Sequence, residues 1–251
     1  MSDYASKALA EASLPGESRT YDARSPLAAQ AAPLQSQNPK PIQQQLVGNK
    51  KASRIHITGA SGSGVSTLGN NLASALSLPV FDVDTYFWLP TNPPFTIKRP
   101  IHERISLLRP NLGHAQEENG GWVLSGSMGS WGDEIMEDVE HVIFVDTATD
   151  VRMKRLRERE FIRHGERIQE GGDMHEESVK FLAWAEAYED PGLEEGRSRV
   201  RHEEWLRGVR VPVTRLSGDQ DELVLMKEAL KALKRDNEKG REGSSQQVVI
   251  F

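Results

Sequence analysis

Between the apolar run Arg54-Ile55-His56-Ile57-Thr58 and a stretch where leucine recurs at positions 68, 72 and 76, the chain carries Gly59-Ala60-Ser61-Gly62-Ser63-Gly64-Val65-Ser66-Thr67. The first flank has strand length and the second has the four-residue step of one helix face, so the glycine-rich segment joins a strand to a helix. Such a turn directs several backbone N–H groups inward, and the helix behind it aims its positive end at the same point, which makes a cradle for phosphate oxygens. Gly59, Gly62, Ser63, Gly64, Val65, Ser66 and Thr67 are therefore the expected phosphate contacts, with the Ser66 hydroxyl also placed to ligate Mg2+. In the spacing G-x-x-x-x-G-K-[ST], the lysine position is Val65. That lysine normally spans the outer phosphates, whereas the backbone cradle does not depend on it.

With 31 basic against 37 acidic residues and a formal charge of −6, the chain has no global field to hold nucleic acid or anionic lipid. No basic strand interleaved with aromatics is visible, so no nucleic-acid partner is expected. No apolar run approaches the roughly 20 residues that span a bilayer, so no membrane partner is expected either. The lack of cysteine excludes a disulfide scaffold and thiolate chemistry and permits a reducing compartment. With no targeting signal at the amino terminus, the expected location is cytoplasmic.

The length suits one α/β domain with tails. Residues 1–50, rich in Ala, Ser, Gln and Pro without a sustained period, read as a disordered tail. The domain is expected over 51–235. Residues 236–251 read as a flexible tail ending in Val248-Val249-Ile250-Phe251, either a docking motif or frayed chain. Strands are expected at Arg54–Thr58, Val80–Val83, Trp122–Ser125, His141–Asp146 and Val211–Leu216. The helical periods between them indicate a parallel sheet wound with helices.

Asp82 and Asp84 close the expected second strand two residues apart, on one side of an extended chain at the end facing the glycine loop. They read either as functional carboxylates or as solvated turn caps. The following insert, Thr85 to Pro100, combines Tyr86, Phe87 and Trp88 with Lys98 and Arg99. Its aromatics either bury a planar acceptor or join the core, and Arg99 is the expected anion contact through a bidentate pair. Arg152, Arg155, Arg159 and Arg163 step by three, four and four along an expected helix, giving a cationic stripe with Glu158 and Glu160 off it. Arg163 and Arg167 precede the hinge-like pair Gly171-Gly172, from which a lid could carry them onto a terminal phosphate.

From the loop, the Asp82-Val83-Asp84 segment, the Trp122 strand and the arginines after the fourth strand, the chain resembles the adenylate-kinase-related P-loop kinases and ATPases. These are nucleoside-monophosphate-kinase-like proteins with similarity to shikimate and gluconate kinases. The resemblance runs from about Arg54 to Leu233. It implies a three-layer P-loop NTPase fold, an α/β architecture with a five-stranded parallel sheet in the order 2-3-1-4-5 and a helical lid at about 160–200. It further implies ATP and Mg2+ as cofactors. Asp82 would support the metal, Asp84 would orient or deprotonate the acceptor, Arg155 would stack on adenine and Arg159 would reach the phosphates. Gly218-Asp219 would pass beside the base, and Ser127, Trp131 and Asp133 would line the acceptor pocket. Ser125 departs from the pattern, because many relatives carry an acid there.

The expected function is an ATP- and Mg2+-dependent phosphotransferase acting on a small-molecule or nucleotide acceptor, with Asp84, Arg159 and Arg163 as catalytic residues. The alternative is a nucleotide-binding pseudoenzyme or a regulatory P-loop ATPase. Val65 and Ser125 favour the alternative, whereas the carboxylate pair and the arginines favour turnover.

Overall fold

The computed structural model describes residues 54–190 and 197–245, with Ser130 and 236–245 described by backbone alone. The tail expected over 1–50 and the apolar tip Val248–Phe251 lie outside the described residues. Five parallel strands, β1 (Arg54–Gly59), β2 (Val80–Asp82), β3 (Trp122–Ser125), β4 (His141–Asp146) and β5 (Val213–Ser217), form one sheet in the order β2-β3-β1-β4-β5. This is the expected 2-3-1-4-5 order, and it centres β1 and the loop that follows it.

The helices are α1 (Val65–Leu76), α2 (Val83–Phe87), α3 (Ile101–Asn119), α4 (Asp133–Met136), α5 (Thr149–His164), α6 (His175–Glu186), α7 (Arg199–Gly208) and α8 (Glu222–Ser245). Strand alternation sorts the core into two faces. Ile55, Ile57, Val123, Ile143 and Val145 pack with Leu68 and Leu72 of α1 and Leu225, Ala229 and Leu233 of α8. Trp122, Leu124, Val142 and Phe144 pack with Leu108 and Leu112 of α3 and Leu206 of α7. A smaller cluster of Met153, Leu156 and Ala185, with Phe181, Leu182 and Trp184 against it, joins α5 to α6.

Several expectations are corrected. The second strand stops at Asp82 instead of Val83, because the Asp82 side chain accepts the Asp84 N–H at 2.9 Å and caps α2. Asp84 therefore lies in the first turn of a helix and not on an extended chain. The closing helix α8 continues beyond residue 235 to Ser245, into the segment expected to be a flexible tail. Trp131, expected to line a pocket, is buried in the core with the Arg104 guanidinium over its ring. Among the described residues no helix is long and apolar enough to cross a membrane.

Candidate phosphate and acceptor site

The glycine loop bridges β1 to α1 at the carboxyl end of the sheet. Gly64 holds φ at +95° as the N-cap of α1, and no side chain caps the first-turn amides. An ideal Cβ on Gly64 would find only Arg155 Nη1 nearby, at 3.8 Å, so the left-handed backbone and not crowding demands glycine there. Gly62, at φ +81°, is constrained twice, since a Cβ would also meet the Arg152 carbonyl oxygen at 2.8 Å. Ser63 is buried, and its hydroxyl has no protein partner among the described residues. Open amides at a helix start, a left-handed glycine beneath them and a buried hydroxyl within the loop fit a bound phosphate chain.

Val65 is buried in the α1 and α8 face of the core. The lysine position thus serves packing beneath the loop. Ser125 is also buried, and α1 approaches it so closely that a Cβ on Gly69 would lie 2.8 Å from the Ser125 Cβ. Both departures sit where α1 is pressed against the sheet. Ser66 Oγ donates to Asp82 Oδ2 at 3.1 Å, so the two expected metal-supporting residues meet. Among the described residues no group of three or more His, Asp and Glu side chains is gathered to hold a metal. A single hydroxyl with one carboxylate suits Mg2+, which keeps most of its ligands as water and phosphate oxygens.

Asp84 is reachable by solvent, yet protein flanks it closely enough that desolvation raises its pKa, with the Asp82 charge adding to the rise. These two conditions together describe a carboxylate in a cleft. The positive charges of Arg197, Arg159 and Arg163 act in the opposite direction. The structure therefore brings Asp84, Arg159 and Arg163 into one electrostatic neighbourhood. Arg159 lies over the Phe181 ring at 5.8 Å, and Arg163 over Phe95 at 4.6 Å, so the insert after β2 reaches the end of α5.

The expected stripe divides. Arg155 donates to the Gly218 carbonyl at 3.0 Å and the Gly62 carbonyl at 3.5 Å, tying the phosphate loop to the turn after β5. Arg152, expected on the same cationic stripe, is instead fully buried. It donates to the carbonyls of Thr147, Ser61 and Ala185 and to Thr149 Oγ1. Glu160, expected off the stripe, is buried and pairs with Arg163 at 3.5 Å. Arg167 is held by both oxygens of Asp173, at 2.9 and 2.7 Å. The hinge-like Gly172 lies in a tight turn where a Cβ would collide with the Arg167 carbonyl.

Arg99 spends its donors within the insert, on the carbonyls of Tyr86 at 3.0 Å and Trp88 at 3.4 Å, with Glu103 3.7 Å away. Ser127 Oγ lies 3.5 Å from His202 Nε2, and His202 Nδ1 meets the Tyr188 hydroxyl at 2.8 Å. Burial holds this imidazole neutral, with its pKa lowered to about 3. Arg199 grips Asp146 and Glu189, and Arg201 is exposed. Besides Arg152 and Arg155, Arg197 reaches the loop, its Nη1 donating to Ser61 Oγ at 3.2 Å. Sequence reading passed over it, because it precedes the helix start capped by Ser198 and shares no periodicity with the α5 arginines. The one available signal was an arginine directly before an N-cap.

No family model matches the chain. Among solved structures, it is similar to a gluconokinase from Sinorhizobium meliloti 1021, at 19% identity and a TM-score of 0.46, covering 78% of this chain and 99% of that one. It is also similar to a shikimate kinase from Bacteroides thetaiotaomicron, at 21% identity and a TM-score of 0.41, covering 74% and 98%. The uncharacterized protein YqaC of Bacillus subtilis (strain 168) is 42% identical over 165 residues, which are 66% of this chain and 88% of YqaC. Identity of that level over most of the relative's length means that the chain belongs to the YqaC family, on a five-stranded parallel sheet in the order β2-β3-β1-β4-β5 with the glycine loop at its centre.

Proposed function

We propose that the protein is an ATP- and Mg2+-dependent phosphotransferase acting on a hydroxyl group of a small-molecule or nucleotide acceptor. The observation that carries this reading is the contact of Ser66 with Asp82 at 3.1 Å, directly before Asp84 and its surrounding arginines. Ser66 and Asp82 would hold Mg2+, which supplies charge neutralisation on the outer phosphates when bound. Asp84 takes the proton as the acceptor oxygen forms its bond to the γ-phosphorus. The bond from that phosphorus to the β,γ-bridging oxygen breaks, and ADP leaves with the electron pair. Arg159 and Arg163 hold the charge on the migrating group. A cytoplasmic setting, where ATP is abundant, belongs to the same proposal.

The test is calorimetric titration with ATP and Mg2+, followed by a screen for transfer of radiolabelled γ-phosphate to hydroxyl-bearing metabolites. Asp84→Asn keeps the size of the side chain and removes the base, so transfer is expected to fall on the order of 10²-fold while ATP affinity holds. Equal transfer rates would remove Asp84 from the chemistry. Gly64→Val forces a β-branched residue into the left-handed region, and nucleotide affinity is expected to drop about tenfold or more without unfolding the chain. Unchanged affinity would count against the cradle.

A second reading, nucleotide binding without turnover, is favoured by the burial of Val65 in the core at the lysine position. It predicts ATP binding in the calorimeter and background transfer with every acceptor.

A further inference from the structure

Among the described residues, three arginines donate hydrogen bonds to the phosphate loop, and they differ in what they touch. Arg152 and Arg155 donate to backbone carbonyls, Ser61 O in one case and Gly62 O in the other, and both have further carbonyl partners elsewhere. Those bonds hold the loop's shape. Arg197 donates to a side-chain hydroxyl at the loop's outer turn, Ser61 Oγ, at 3.2 Å. A hydroxyl can rotate aside and surrender its place to a stronger acceptor, which a backbone carbonyl in a rigid loop cannot do.

Two further observations place the Arg197 charge. Its charge lies within electrostatic reach of the Asp84 carboxylate. It also lies over the Trp184 ring of α6, at 5.7 Å from the centroid. The guanidinium therefore stands between the loop turn, the candidate base and the lid helix. A terminal phosphate held in the cradle and directed at Asp84 would have to pass through that space. Burial disfavours the charged guanidinium. Among the described residues this part-buried guanidinium has one hydrogen-bond partner, a neutral hydroxyl, which leaves its other donors for a stronger acceptor. An anionic phosphate oxygen would supply what the serine does not.

We propose that Arg197 is the cation that replaces the loop lysine: it reaches the cradle from beyond the lid, binds the γ-phosphate of ATP at the Ser61 turn, and makes the site prefer ATP to ADP. This rests on the proposed nucleotide site but assigns a residue that no loop motif contains. It also accounts for Val65. With the outer charge supplied from across the cleft, the lysine position is released for packing against the core.

The test is the affinity of the full-length protein for ATP and for ADP, each with Mg2+, measured by calorimetry. Wild type is expected to favour ATP, and Arg197→Ala to lose about tenfold of that preference, the scale of one charge-assisted hydrogen bond, while ADP affinity stays unchanged. The unchanged ADP affinity reports an intact fold, and Arg197→Gln, which keeps bulk and donors without charge, is expected to behave likewise. A preference that survives in Arg197→Ala and Arg197→Gln overturns the assignment and leaves the nucleotide site standing, as does a wild type that binds ATP and ADP equally. A wild type that binds neither nucleotide overturns both.

Discussion

Arg159→Ala and Arg163→Ala are each expected to lower single-turnover phosphoryl transfer by about 10³-fold at saturating ATP-Mg2+, with little change in nucleotide affinity. Both arginines act on the Asp84 carboxyl and so stand beside the acceptor end of the site. They are one helical turn apart on α5, so one face of a rigid element carries both charges into the cleft. Charge placed there is worth most when negative charge moves from the β,γ-bridge toward the acceptor, which is a transition-state event. Arg163 is also braced, by Phe95 beneath its guanidinium and by the buried Glu160 at 3.5 Å. Val65→Lys in the otherwise unaltered chain is expected to give no gain in transfer and to lower stability, because Val65 is buried in the core. Rates for both alanine variants that match wild type would end this account of the lid.

The second large effect is on stability. Arg152→Ala is expected to cost on the order of 3–5 kcal/mol, a large fraction of the roughly 5–15 kcal/mol by which domains are stable. The side chain is wholly inaccessible and satisfies carbonyls on three separate pieces of chain: Thr147 after β4, Ser61 in the phosphate loop and Ala185 in α6. It also lies over the Tyr188 ring at 4.9 Å. Truncation leaves those acceptors buried and unpaired around a cavity. Arg152→Lys is expected to recover little, because one ammonium cannot reproduce the planar fork that reaches all three. Urea denaturation checks both variants, and a loss under about 1 kcal/mol for Arg152→Ala would show that the carbonyls find other donors.

Much of the domain was legible from local patterns. The helix face of Leu68 and Leu72 follows from its four-residue period, and the strand at His141–Asp146 from a continuous apolar run of strand length, as a central parallel strand buried on both faces requires. The phosphate loop was legible for a related reason: glycines at 59, 62 and 64 between a strand and a helix satisfy backbone requirements that are themselves local. The sheet order came from the resemblance to known kinases and not from any spacing, since parallel strands are paired through crossovers that leave no short-range trace.

Tertiary structure decided the fate of the charged residues. The spacing of Arg152, Arg155, Arg159 and Arg163 assigns them one helix face, but only the packing of α6 against α5 determines that Arg152 is sealed inside while Arg159 stays at the cleft. Arg99 was read as an anion contact, yet the fold of its own insert placed two carbonyls within its reach. Arg197 had no motif to mark it, and its meeting with Ser61, 136 positions away in the chain, exists only after the sheet and α7 are assembled. Local sequence sets backbone conformation because the forces involved act within a turn or two. A guanidinium on a long flexible stem takes whatever acceptors the finished fold brings near it, and that information is not present before the chain closes on itself.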